Sequence, residues 1–206
     1  MSGAGQNEGM KKTLLFALAL IAAACAEPIQ RILTMTKLTL VATIVVVLAV
    51  PLSLSAQNPL VQSLKSVFDI TKTNIMATAE ILDDEMYTFR PTDEVRSAGE
   101  ILAHIADGQF EFCGSAAGEA NAGPENFEET RTHKAEIIEA LEQGFAYCER
   151  IFARTSDAGA DDAADFFGAP NTVGGMLAFN SVHNYEHYGN LVTYMRINGI
   201  VPPSSR

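Results

Sequence analysis

Beyond residue 57 the apolar side chains of this 206-residue chain recur at helical spacing in four stretches, with no strand-type alternation. No other feature restricts the fold as much. The first stretch covers residues 59–84, with Leu60, Leu64, Val67, Ile70, Ile75, Ala79 and Leu82 as its expected inward face. Phe89-Arg90-Pro91-Thr92 breaks it, because proline drives the chain out of helix. The second opens on Ser97-Ala98-Gly99-Glu100, a capping box in which hydroxyl and carboxylate satisfy orphan amides, and reaches about Ala117. A Gly/Ala/Asn-rich loop follows over 118–124. The third stretch covers 127–154, with Ile137, Ile138, Leu141, Phe145, Cys148 and Phe152 inward. Residues 156–170 read as an acidic connection with Phe166-Phe167 as a candidate anchor. The fourth starts at Thr172 as N-cap and ends at Gly199, with Pro202-Pro203 as a stop. The prediction is an all-α protein built as a four-helix bundle.

Hydrophobic residues make up 48% of the chain, enough for one core and one domain. The net charge is −11, and residues 57–206 hold 23 Asp+Glu against 10 Lys+Arg. No basic patch is available to neutralise phosphates, so nucleic acid is excluded as a partner, and anionic headgroups suit the domain equally poorly. The first 56 residues are of another kind. Lys11-Lys12 precede an apolar run over 14–24 that ends at Cys25, and Lys37 precedes a second run over 38–50. The second has a basic start, an apolar centre and the small-residue zone Ser53-Leu54-Ser55-Ala56, the pattern of a signal peptide cut near residue 56. The expected division is a targeting region over 1–56 and a domain over 57–206, in a periplasmic or secreted protein. Met35 as the true start, Cys25 as a lipobox cysteine, and 38–55 as a retained anchor stay open. The membrane enters only through that last alternative.

Export leaves Cys113 and Cys148 in a compartment where they can pair; two buried free thiols are the alternative. Each lies near the C-terminal end of its expected helix. In an antiparallel hairpin the thiols would be roughly 20–25 Å apart at 1.5 Å per residue, whereas a disulfide needs Cα atoms within about 7 Å. Pairing therefore requires the second and third helices to run parallel, in the order up-down-down-up.

His183 and His187 are four apart, so one helix face projects both rings. Met176, Phe179, Tyr194 and Ile197 fall in the same stripe, which is expected to point inward. His104 sits at the border of the buried face of the second helix. Hydrogen-bonded core histidines are one reading of the three; a shared cation, which removes the cost of burying three imidazoles, is the other. His133 lies between Thr132 and Lys134 and is expected at the surface. Glu186, Asp107 and Glu100 are candidates to orient a ligand ring, and Tyr185 and Tyr194 to line a pocket.

Leu102-Ala103-His104-Ile105-Ala106-Asp107 and the run from Val182-His183 through His187 to Leu191 resemble the DinB/YfiT-like metalloenzyme family. Phe89-Arg90-Pro91 and the closing Asn198-Gly199-Ile200-Val201-Pro202-Pro203 fit it too. The resemblance implies a four-helix bundle with a divalent metal on His104, His183 and His187, zinc or nickel foremost and manganese or iron as alternatives. It also implies a small-molecule substrate and hydrolase- or thiol-transferase-like chemistry. Family members with assigned activities use low-molecular-weight thiols, which export would put out of reach. A non-catalytic exported metal-binding or stress-associated module is the competing reading, and a homodimer stays open.

Overall fold

The computed structural model describes residues 58–119 and 122–206. The two apolar N-terminal runs, the cleavage zone, Cys25 and the junction at 56–57 lie outside the described residues. In chain order come α1 (Pro59–Ile81), α2 (Asp84–Thr88), α3 (Ala98–Ala117), α4 (Phe127–Thr130), α5 (Lys134–Arg154), β1 (Ala163–Phe166), β2 (Ala169–Thr172) and α6 (Val173–Ile197), followed by a 3-10 turn at Pro203–Ser205.

Local chemistry sets the helix ends. Pro59 suits the first turn of α1, and the distant Asp157 carboxylate accepts the Leu60 and Val61 amides at 3.0 and 2.9 Å. The capping box of α3 forms as expected: Ser97 Oγ accepts the Glu100 amide at 3.2 Å, and Glu100 accepts the Ser97 amide at 2.6 Å. Gly118 ends α3 at φ 69, a left-handed position that glycine takes without strain. Thr172 caps α6 by accepting the Gly175 amide at 3.1 Å.

Three expectations are corrected. The first stretch breaks at Ile81, and Asp83 caps the separate α2. The third splits at Arg131–His133 into α4 and α5, because Asn126 nucleates a single turn whose next residues turn extended. Residues 163–172 form an antiparallel hairpin, with Phe166 opposite Ala169 and a turn at Phe167 and Gly168, both at positive φ.

The inward face of α1 also differs from the expected one. Val61, Phe68, Thr71, Ile75, Thr78 and Ala79 are buried, whereas Leu60, Val67 and Ile70 are exposed, as is Ile197 at the end of α6. Phe68 anchors the lower core, its ring 5.8 Å from Phe145 and 5.0 Å from Phe152. Across α3 and α5, Gly99 meets Ile137, Ala106 meets Gly144, and Cys113 is bonded to Cys148 with Cα atoms 5.4 Å apart. Across α3 and α6, Gln109 meets Asn180 and Asn184, and Phe112 meets Phe179. α3 therefore lies between two partners, one covalently joined to it and one facing it through polar side chains.

Candidate metal centre

α3 and α6 bring the three predicted ligands together. His183 Nε2 lies 3.1 Å from His104 Nε2 and 3.1 Å from His187 Nε2. The potential ligand atoms of the three rings all fall within 4.8 Å of one another. Zn–N bonds of about 2.1 Å at tetrahedral angles would separate the nitrogens by roughly 3.4 Å, so the spacing fits a shared ion. Hydrogen bonding alone fits worse. A ring nitrogen carries either one proton or one in-plane lone pair, so His183 Nε2 makes one good bond and not two.

His183 and His187 are each 8% exposed. Burial first, then the neighbouring imidazoles, pushes His183 down to about 3 from the usual 6.5. The same effects, burial again the larger, push His187 down to about 4. Both rings are neutral at neutral pH, the form that ligates a metal. Their Nδ1 atoms are buried without a protein partner.

Packing fixes where His183 sits. A Cβ on Gly108 would lie 2.6 Å from His183 Cε1 and 2.9 Å from Nδ1, so glycine is what lets the ring pass α3. The Phe112 ring meets it edge-on with centroids 5.0 Å apart. Below, Gln109 donates to Asn184 at 2.7 Å, Asn184 to Thr71 at 3.3 Å, and Asn180 to Gln109 at 3.0 Å, all four residues fully buried. This network fixes the rotation of α6 and hence the face that carries both histidines.

The carboxylate that meets His104 is one the sequence reading missed. Glu128 Oε2 lies 2.8 Å from His104 Nδ1, leaving Nε2 free to ligate. Burial raises the Glu128 carboxyl, but Arg96 and His104 outweigh it and hold the group below its usual range. Arg96 Nε donates to Glu128 Oε1 at 2.6 Å, and Tyr194 Oη donates to the Arg96 carbonyl at 3.0 Å. Asp107 does not touch a histidine. It accepts the Phe127 and Glu128 amides at 2.7 and 2.9 Å and so holds the turn that presents Glu128. Glu100 is engaged in the α3 cap and with Arg90, and Glu186 is exposed. Tyr185 is 41% exposed away from the cluster, and His133 is exposed, as expected. The only sequence signal for Glu128 was its place in the acidic first turn of a helix.

A cavity of about 950 Å³ opens beside His104, lined also by Asp107, Glu111, Phe112, Glu128 and Phe167. The cluster itself holds three histidines; among the described residues no carboxylate joins it as a fourth ligand.

Comparison with known proteins follows the same lines. The family described as the DinB superfamily matches residues 68–191. A DinB-like protein from Bacillus subtilis superposes with a TM-score of 0.55 at 20% identity, covering 66% of this chain and 92% of its own. A DinB-like protein from Bacillus cereus gives 0.56 at 19% identity, with 69% and 95% covered. A protein assigned to the DinB family from Exiguobacterium sibiricum gives 0.53 at 20%, with 68% and 92% covered. No curated protein sequence matches the chain.

Proposed function

Because the chain belongs to the DinB superfamily and three of its imidazoles converge beside a cavity, we propose that it is an exported, metal-dependent enzyme acting on a small molecule. One observation carries the reading: His183 Nε2 at 3.1 Å from two other ring nitrogens, a geometry that a cation satisfies and hydrogen bonding does not. His104, His183 and His187 would hold the ion, zinc or nickel foremost by ligand type, with manganese or iron as alternatives. A divalent cation there supplies Lewis acidity and acidifies what it binds. Glu128 holds the His104 ring in its ligating orientation, and Arg96 and Asp107 hold Glu128. The cavity admits the substrate from the His104 side, for hydrolase- or thiol-transferase-like chemistry.

Export rests on the signal-like N-terminal sequence and on the Cys113–Cys148 bridge, which an oxidising compartment permits. Among the described residues no helix is long and apolar enough to cross a membrane. The same reading takes the long helices as an up-down-down-up bundle. Its support is the rising register of α3 with α5, from Gly99 and Ile137 to Cys113 and Cys148.

A non-catalytic metal-binding module is the second reading. The unpartnered Nδ1 atoms of His183 and His187 favour it, since ligating histidines usually donate that second N–H to a fixed acceptor. Azide added to the cobalt-loaded protein separates the two. A shift of the visible bands is expected, because azide takes an open coordination position; an azide-insensitive spectrum means a closed site and overturns the catalytic reading.

A further inference from the structure

The walls of the cavity select by charge. Among its described lining residues are six carboxylates, Asp107, Glu111, Glu119, Glu125, Glu128 and Asp165, and no lysine or arginine. Most are already answered. Arg154 pairs with Glu119, Arg131 with Glu125, and Arg96 with Glu128. Asp107 accepts two backbone amides, and Asp165 accepts the Gly168 amide at 2.9 Å. Glu111, an exposed residue of the cavity wall, alone has no hydrogen-bond or ion-pair partner among the described residues.

Its position is not incidental. His104, Asp107, Glu111 and Ser115 are spaced three, four and four apart, so α3 presents them along one face. All four line the cavity. The upper end of that face is tied to the hairpin by Ser115, whose hydroxyl donates to the Asp165 carbonyl. The hairpin in turn supplies aromatic surface. Phe166 packs on Phe179 with centroids 4.6 Å apart, and this leaves Phe167 69% exposed at φ 52, a left-handed conformation that a phenylalanine rarely holds. Phe110, Phe112, Phe166 and Phe167 all line the same cavity. Of the three histidines, His104 lines this cavity, whereas the more deeply buried His183 and His187 do not.

We propose that this cavity takes a cationic substrate, one carrying an ammonium group that Glu111 and the aromatic wall hold while the rest of the molecule faces His104. Aromatic faces attract ammonium groups, and a carboxylate without a counter-ion completes the recognition. The same acidic walls repel anionic molecules. The inference rests on the proposed metal-dependent function for what happens after binding, not for the binding itself.

The test measures binding of two probes of similar size to the purified zinc-loaded protein by calorimetry, benzyltrimethylammonium and phenylmethanesulfonate, with metal content determined on the same samples. Neither probe is a strong metal ligand, so the comparison reads the walls. The ammonium probe should bind about tenfold tighter than the sulfonate, the scale of a desolvated cation–π contact plus one ion pair. Glu111→Gln should remove most of that preference and leave metal content intact. Phe167→Gly, which suits the positive φ, should weaken the ammonium probe about threefold. Glu186→Gln, an exposed acid outside the cavity, should change nothing. Equal or reversed preference, no detectable ammonium binding, or an undiminished preference in Glu111→Gln would overturn the proposal. A protein that prefers the ammonium probe yet holds no metal would leave this inference standing and remove the metal-dependent reading instead.

Discussion

α3 meets α5 and α6 through the same device and to opposite ends. On the α5 side a Cβ on Gly144 would lie 2.9 Å from the Ala106 carbonyl and 3.0 Å from Gln109 side-chain carbons. On the α6 side a Cβ on Gly108 would lie 2.6 Å from the His183 ring. Each glycine buys close approach. The first seam spends it on a closed contact, locked by Cys113 and Cys148. The second spends it on bringing the His183 ring against the helix, and leaves His183 Nδ1 and His187 Nδ1 buried and unpaired. An unsatisfied buried polar group costs about 1–3 kcal/mol, so the polar seam strains the fold that the covalent seam secures. The contrast separates a seam that secures the fold from one that places three imidazoles together.

The comparison can be broken most sharply at the bridge. Replacing Cys113 and Cys148 together by serine should lower unfolding free energy by roughly 3–4 kcal/mol in urea titrations, as expected for a closed loop of 35 residues. A loss below about 1 kcal/mol would mean that the seam is held by packing alone. The two glycines then form a matched pair. Gly108→Ala and Gly144→Ala both overpack a helix contact, at about 1–3 kcal/mol each. The α6-side change should fall on the ligand, weakening metal affinity by up to about a hundredfold at 1.4 kcal/mol per tenfold. The α5-side change should fall on stability and leave metal affinity within about threefold of wild type. If both variants lose metal equally, the two seams are not separate in function. The smallest effect is expected from Glu128→Gln, which keeps the shape but removes the charge beside His104. Metal affinity should drop about tenfold, at the low end for a residue that orients a ligand, with unfolding free energy little changed.

The parts of this account that were legible in the sequence are those governed by local rules. The capping box at Ser97 and Glu100, the Thr172 cap, and the i, i+4 spacing of His183 and His187 need only the chemistry of one helix. The meeting of Cys113 and Cys148 followed once export was taken to allow pairing. The face of α1 was misread because two of its buried residues are threonines. Thr71 and Thr78 return their hydroxyls to the Phe68 and Asn74 carbonyls at 2.7 and 2.8 Å, which lets polar side chains enter the core while Leu60, Val67 and Ile70 stay out. Glu128 was hidden because its role depends on Asp107, 21 residues earlier, capturing the α4 amides. The hairpin lacks β-branched alternation, and Phe166 packing on Phe179 accompanies its register instead.

The claim that the polar seam is a metal site, distinct from the seam that secures the fold, is tested most directly by counting metal in three purified proteins by elemental mass spectrometry. Wild type and the Cys113→Ser/Cys148→Ser pair should each hold about one divalent ion per chain, and His187→Ala should hold none while unfolding cooperatively. Full metal content in His187→Ala, or its loss from the cysteine pair while that variant remains folded, would contradict the account.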